Sequence, residues 1–161
     1  MTDHPKVALA LRTELTFLAL RVAQLREVAD HLAAGRCMVA DWALLKQAIF
    51  AATTLQPDDT ARLAATIEIW AASVPAPDVL IGLSAPAATL DARVRRRGRD
   101  IEARLTIDQL AALSAAFDAV FASWPGHLIR LDTDTFDALD EQHVTELADR
   151  IRRLVTSSEP R

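Results

Sequence analysis

The stretch that decides the fold is Asp78–Leu83, DVLIGL, in the middle of the chain. It is short and almost continuously apolar, which is typical of a β-strand that is covered on both faces. The segment before it, VPAP at residues 74–77, breaks the helical pattern on its amino-terminal side. Two further short apolar runs, Cys37–Ala40 and His127–Leu131, predict a second and a third strand.

Between these runs, apolar residues recur at spacings of three and four, which predicts amphipathic helices. The longest helix is expected from Val7 to Ala34, and the others span residues 42–54, 58–72, 85–97, 107–123 and 136–154. Strands that alternate with helices predict an α/β fold, a parallel sheet with helices on both faces in a helix-rich chain. Ligands of such sheets bind at the carboxyl ends of the strands, here near Asp41, Ser84 and the polar loop Asp132–Thr135.

Length and composition narrow the class of protein. The 161 residues predict one domain over 1–161 with a loose tail at 157–161. A net charge of −4 argues against a nucleic-acid coat, and the single cysteine, Cys37, excludes an internal disulfide. The four histidines show no metal-ligand spacing, so no metal site is expected. With no apolar run long enough to span a membrane and no signal-peptide pattern, we expect a cytoplasmic protein without a membrane partner.

The strongest local signal is RVRRRGR at Arg93–Arg99, with five arginines in seven residues. On a helix, Arg93 and Arg97 share one face, and Gly98 suits the end of that helix. In one interpretation the arginines only complement the helix dipole and face water. In the other they hold a polyphosphate, because planar guanidinium groups match phosphate oxygens.

Two carboxylates have similarly open interpretations. Asp41 follows a predicted strand, where it could deprotonate a hydroxyl group or cap the next helix. Glu14 lies among leucines of the first helix and could face a ligand or water. None of the four glycines begins a GxxxxGK[ST] phosphate loop, because neither Lys6 nor Lys46 follows a glycine.

Several segments, in order, resemble the deoxynucleoside kinases, particularly the bacterial deoxyadenosine/deoxyguanosine type. VADWALLKQAIFA at residues 39–51 resembles the Asp-Tyr…Lys…Phe-Ala segment of that branch, and PDVLIGL at 77–83 resembles its PDLxxYL strand. Residues 93–102 resemble its arginine-rich lid, RxxxRGRxxE. TELTFLALR at residues 13–21 is similar to the substrate-side helix, and Leu131-Asp132 to the start of the adenine-side loop. The resemblance covers about residues 9–154.

The resemblance implies a three-layer P-loop kinase-like fold and a phosphotransferase. The reaction would transfer the γ-phosphoryl group of ATP, with Mg²⁺, to the 5′-hydroxyl of a deoxynucleoside. In this family pattern Asp41 acts on the 5′-hydroxyl, and Arg93 and Arg97 contact the ATP phosphates. Arg99 and Glu102 bridge toward the transferred phosphate.

The substrate side follows from the same resemblance. Glu14 matches a glutamine that reads the base edge, Phe50 matches the aromatic residue beside the base, and Trp42 stands where the branch has tyrosine. Asp132 and Thr133 begin the loop near adenine. Because an ionised glutamate only accepts hydrogen bonds, Glu14 predicts altered or lost base recognition. Gln47 replaces a usually acidic residue.

The family begins with a strand, a P-loop and a helix, and this chain begins after them. The resemblance makes the P-loop strand central, between Cys37–Ala40 and Asp78–Leu83. These two runs must then pair directly or leave ladder groups unpaired. We therefore expect the 161 residues alone to be inactive or nearly so.

Three functions remain open at this point. The first is an incomplete deoxynucleoside kinase that binds a deoxynucleoside and forms a homodimer. The second is a non-catalytic subunit that forms a heterodimer with a full-length paralogue through its first helix or the helix at 58–72. The third is a helical binding module whose arginines serve another anion.

Overall fold

A computed structural model describes residues 4–157, without the side chains of residues 4–7, 101 and 157. The chain divides into two compact units at Ala76–Pro77, within the proline-containing segment that breaks the helical pattern. The assignment of 1–161 to a single domain stays a prediction. Of the expected loose tail, Ser157 is the last residue of a helix, and residues 158–161 lie outside the described residues.

The first unit is built from three helices, α1 (His4–Ala33), α2 (Leu44–Thr54) and α3 (Pro57–Ala71). Its core contains Leu18 and Val22 of α1, Ala51 of α2, and Leu63 and Ile67 of α3. The spacing of four within α1 and within α3 places each apolar pair on one helix face, so that the faces meet in one cluster. The first helix therefore forms as expected, and it begins at His4 rather than at Val7.

The second unit contains the sheet. Its elements are β1 (Val79–Ser84), α4 (Ala87–Arg97), a 3₁₀ turn (Asp100–Glu102), α5 (Ile107–Ala122), β2 (His127–Asp132) and α6 (Glu141–Ser157). The two strands pair in parallel, with Val79 opposite His127 and Ser84 opposite Asp132. The strands expected at 78–83 and 127–131 are thus confirmed within one residue, and their carboxyl ends meet at the same edge.

The contact between β1 and α5 depends on a glycine. A Cβ atom added at Gly82 would lie 2.9 Å from Cε2 of Phe121. Phe121 of α5 is buried, as is Ile129 of β2, which is fully shielded from solvent. Gly82 therefore lets an aromatic ring pack directly on the strand, which a larger residue would push away.

The strand predicted at Cys37–Ala40 is wrong: residues 36–40 have no regular secondary structure. The segment is exposed, and Val39 is 93% exposed. A strand needs a partner for its backbone hydrogen bonds, and in the part of the chain that the structure describes β1 and β2 pair only with each other. Of the two outcomes expected from the sequence, the ladder groups of this segment are left unpaired.

Helix ends correct two further expectations, one for α2 and one for the last helix. Asp41 does not cap α2, because the cap position is Ala43 and no side chain bonds there. The start of α5 is capped by Thr106, whose Oγ1 accepts from Gln109 N. The last helix begins at Glu141 and not near Phe136, because turns fill the segment between β2 and Asp140. Gly98 does end α4, in the left-handed conformation at φ 63°. No helix among residues 4–157 is long and apolar enough to cross a membrane.

Candidate functional site

The candidate residues fall into two groups, one in each unit. Those of the first unit are Glu14 on α1, Phe50 on α2, and Asp41 and Trp42 in the bend before α2. Those of the second unit lie at the carboxyl ends of the strands and on the arginine-rich segment that follows β1: Arg93, Arg97, Arg99, Glu102, Asp132 and Thr133. Each group has its own geometry.

A fully buried amide organises the group in the first unit. Gln47 of α2 is 0% exposed, and its Nε2 donates to the backbone oxygen of Glu14 at 3.1 Å and to Glu14 Oε2. Its Oε1 accepts from Nη1 of Arg21. Thr54 Oγ1 donates to the second carboxylate oxygen, Glu14 Oε1, at 3.0 Å. Glu14 is thus buried with both oxygens hydrogen-bonded to α2.

The charges in this group are opposite: the Glu14 carboxylate is buried and the Arg21 guanidinium is half-buried. Burial lowers the pKa of Arg21, and the attraction of Glu14 partly offsets that effect. The guanidinium carbon also lies 5.7 Å from the ring centroid of Phe17, a cation–π arrangement. The Gln47 amide therefore lies between a carboxylate and a guanidinium. Its N–H group donates to the carboxylate, and its oxygen accepts from the guanidinium.

The other candidates of the first unit lie on or near α2. Phe50 is half-buried and follows Gln47 by three residues, which places it on the same side of the helix as Thr54. Trp42 is half-buried, and Asp41 is exposed at the end of the unpaired segment 36–40. Lys46 Nζ donates to the backbone oxygen of Asp41 at 3.4 Å, a contact that leaves the Asp41 carboxylate itself unused. That carboxylate is accessible to a hydroxyl group.

In the second unit, one threonine connects the strand ends to α4. Thr133 N and Thr133 Oγ1 both donate to the backbone oxygen of Ser84, at 2.8 and 3.0 Å. Arg93 of α4 donates through Nη1 to Thr133 Oγ1 at 2.6 Å and through Nη2 to Thr133 O at 2.8 Å. Thr89, one turn earlier, donates to Asp134 Oδ2 at 2.9 Å. The structure thus brings two of the candidate residues, Arg93 and Thr133, into contact.

The carboxyl end of α4 carries the other arginines. Arg97 Nη2 lies 2.7 Å from Glu102 Oε2, and Arg99 Nη1 lies 3.7 Å from Glu102 Oε1. Both arginines are more than two-fifths exposed, so these ion pairs are readily exchanged for another anion. An open groove of about 370 Å³ on α4 is lined by Leu90, Arg93, Val94, Arg96 and Arg97.

Sequence reasoning missed the roles of Gln47 and Ser84. In the sequence, Gln47 stands out only as a departure from a usually acidic family residue, and Glu14 departs in the opposite sense. The paired departure was the available signal that the two side chains touch. Ser84 acts through its backbone oxygen, which no residue type reveals. No group of three or more metal-ligating side chains is found in the described ranges.

Comparisons with known proteins support the resemblance. No family model matches the chain. A deoxyguanosine kinase of Bacillus subtilis (strain 168) is 29% identical over 110 residues, which cover 68% of this chain and 53% of that protein. The matched part therefore spans about half the length of that relative.

Solved structures give the fold. A deoxyadenosine kinase from M. mycoides with bound dCTP matches with a TM-score of 0.60 at 14% identity, covering 94% of this chain and 82% of that chain. The same kinase with dCMP and dCDP bound matches with a TM-score of 0.63 at 16% identity, covering 89% and 73%. The expected P-loop kinase-like fold and the resemblance in sequence are both confirmed.

Proposed function

Because this chain resembles the deoxynucleoside kinases in both sequence and fold, we propose that it contains the part of such a kinase that binds the deoxynucleoside and the arginine-rich lid that binds phosphates. The first unit would bind the nucleoside between Glu14, Trp42 and Phe50. Arg97 and Arg99 would bind phosphates of ATP, and the loop at Asp132–Thr133 would lie near its base. The observation that supports this proposal best is the arginine-rich groove on α4, the helix that follows directly from the end of β1.

The reaction of this class needs few groups from these residues. The 5′-hydroxyl oxygen of the nucleoside attacks the γ-phosphorus, and the bond from that phosphorus to the bridging oxygen of ADP breaks. The Asp41 carboxylate would take the proton of the hydroxyl group. Arg97 and Arg99 would exchange Glu102 for phosphate oxygens and neutralise their charge. Mg²⁺ bound with ATP would neutralise more of it.

In the 161 residues alone, we expect binding without efficient turnover. These residues contain no GxxxxGK[ST] motif. The loop of that motif supplies most of the backbone N–H groups that position β- and γ-phosphates. Arginine side chains attract polyphosphate but orient it less well than a closed ring of backbone donors. The proposed activity of the 161 residues is therefore weak ATP binding and selective deoxynucleoside binding.

Titration calorimetry on the purified chain tests this proposal. We expect a deoxynucleoside to bind more tightly than the matching ribonucleoside, and Arg97→Gln to weaken ATP binding about tenfold. Arg152→Gln, on exposed α6, is the matched control for the loss of one charge. If ATP and other polyphosphates bind equally and no deoxynucleoside binds, the chain is an anion-binding module instead. Measurable turnover abolished by Arg97→Ala would contradict the expected inactivity.

We also propose that α1 mediates a dimer, either of two copies or with a full-length paralogue. The helix exposes Leu15 by 46% and Leu20 by 55%, beside a groove of about 630 Å³ that also contains Arg12 and Ala19. Burying such a stripe against a second helix removes apolar surface from water. Sedimentation should show a dimer that Leu20→Glu dissociates and that Leu139→Glu, at a 95% exposed position of the other unit, leaves intact. A strictly monomeric chain, alone and mixed with such a paralogue, would refute it.

A further inference from the structure

The five arginines of segment 93–99 differ in what they contact. Arg95 forms an exposed pair with Asp91 one turn earlier on the same helix, Nε to Oδ2 at 2.7 Å. Arg97 and Arg99 pair with Glu102, which lies beyond the left-handed Gly98. Only Arg93, within the described part of this segment, reaches the loop that follows β2. The partner of Arg93 lies in the loop at the edge of the sheet, whereas Glu102, the partner of Arg97 and Arg99, lies in the segment after α4.

Arg93 is attached to this loop by directional hydrogen bonds. One guanidinium nitrogen bonds the hydroxyl group of Thr133 and the other bonds its carbonyl oxygen, a two-point contact with a single residue. The second nitrogen also lies 3.4 Å from Asp134 Oδ1. A planar guanidinium that meets two acceptors in this way fixes both distance and orientation, which a single lysine ammonium does not reproduce. Arg93 therefore directs three of its five N–H donors to acceptors of this loop.

Thr133 connects the loop after β2 to the sheet. Its backbone N–H and its hydroxyl group both donate to the backbone oxygen of Ser84, the last residue of β1, so two hydrogen bonds attach the loop to that strand. Asp134 adds a third attachment, since its Oδ2 accepts from Thr89 of α4 and its own N–H donates to Asp132 Oδ1 at 2.9 Å. The loop conformation is set by α4 through Arg93 and Thr89, and by β1 through Ser84.

We propose that Arg93 is a positioning residue that holds the loop Asp132–Thr135 in the conformation that receives the base of the phosphoryl donor. In this assignment Arg93 does not bind the phosphates, which is the role that the family resemblance implies for it. The inference rests on the proposed function for the presence of a nucleotide, but the connection between Arg93 and the loop stands on the contacts above. Phosphate binding then belongs to Arg97 and Arg99.

Amide hydrogen exchange tests the connection without any ligand. In Arg93→Gln, the exchange of the backbone N–H groups of Thr133 and Asp134 should become about tenfold faster, because their anchor on α4 is lost. Arg95→Gln removes the same charge from the same helix and should leave both rates unchanged. Arg93→Lys should restore protection only in part. Equal exchange rates in Arg93→Gln and in the unmodified chain would overturn the inference.

Binding of two anions tests the assignment of roles. ATP carries a base, and inorganic tripolyphosphate carries only the phosphates. We expect Arg93→Gln to weaken ATP binding about tenfold and to leave tripolyphosphate binding unchanged, whereas Arg97→Gln weakens both. Equal weakening of both ligands by Arg93→Gln would make Arg93 a phosphate ligand and overturn the inference. If the unmodified chain binds neither anion, the proposed function fails and the donor role of the loop fails with it, while the exchange rates still decide whether Arg93 fixes the loop.

Discussion

Gln47 decides whether two opposite charges can share the interior of the first unit. It donates to Glu14 and accepts from Arg21, so each charged group has a hydrogen-bond partner. Buried polar groups are tolerated when every partner is satisfied, and they become costly when one is removed. The stability of such a fold depends on the presence of all three side chains more than on any single hydrogen bond among them.

Removal of the amide should therefore cost more than the loss of one hydrogen bond. We expect Gln47→Leu to lower the free energy of unfolding by about 2–4 kcal/mol, because Glu14 and Arg21 lose their shared partner. Gln24→Leu, the same change at an exposed position of α1, should alter it by less than about 0.5 kcal/mol. Urea unfolding followed by tryptophan fluorescence measures both variants. An equal effect of the two substitutions would show that the buried set contributes nothing.

At the residue scale, the sequence identifies candidate positions but not their contacts. Glu14, Arg93 and Thr133 are candidates from the sequence, and all three lie in hydrogen-bonded clusters. Their partners were not predictable, because those depend on contacts between residues 33 to 49 positions apart. The pairing of Glu14 with Gln47 needs the packing of α1 on α2, which periodicity alone does not specify.

Helix α6 shows how one carboxylate sets the start of an element. Asp140 Oδ1 accepts from the backbone N–H of His143 at 3.0 Å, in the first turn of the helix. This hydrogen bond holds the pKa of Asp140 below its ordinary value. The carboxylate must be ionised to accept it fully, so the start of α6 depends on pH.

The pH dependence has a definite direction. Because the pKa of Asp140 is lower in the folded chain, its contribution to stability is complete above the ordinary aspartate pKa of about 4 and is lost as the pH falls through the folded value. Asp140→Asn should keep part of the cap and remove this dependence. Amide exchange at residues 141–145 between pH 5 and pH 2.5 measures it. Identical pH profiles for the variant and the unmodified chain would refute the assignment.

Elements were predicted well where the signal is local and poorly where it is not. Both strands of the sheet lie within one residue of their expected bounds, because their apolar runs are flanked by turn residues. The run at Cys37–Ala40 carries the same signal and forms no strand, because pairing needs a neighbour that local sequence cannot supply. The start of α6 was misplaced for a related reason, since Phe136 and Leu139 continue the apolar pattern through a turn.

At the scale of the whole molecule, the segment 36–40 is exposed and has no regular secondary structure. It holds the one cysteine of the sequence, and that thiol is exposed. An extended apolar segment with unpaired backbone groups is a pairing site for other chains. Within the described residues, the sheet of the second unit has two strands, so each strand has one edge without a strand partner.

Thiol labelling tests whether this segment is open in solution. Cys37 should react with a maleimide in the folded chain within about a factor of three of its rate in 6 M guanidinium chloride, because nothing in the described residues covers it. A rate more than about a hundredfold slower in the folded chain would show that the segment is covered, for example by pairing in a sheet. The mass of the labelled chain confirms that a single site has reacted.

The polar set around Gln47 also constrains how this sequence can have diverged. The resemblance gives the family an amide at position 14 and an acid at position 47, and this chain has the acid at 14 and the amide at 47. With Arg21 present, either arrangement is neutral, but a change at one position alone leaves the set with a net charge of +1 or −1 inside the bundle. A stepwise exchange of the two residues would pass through such a charged set, so we expect related sequences to carry one arrangement or the other more often than the mixed ones.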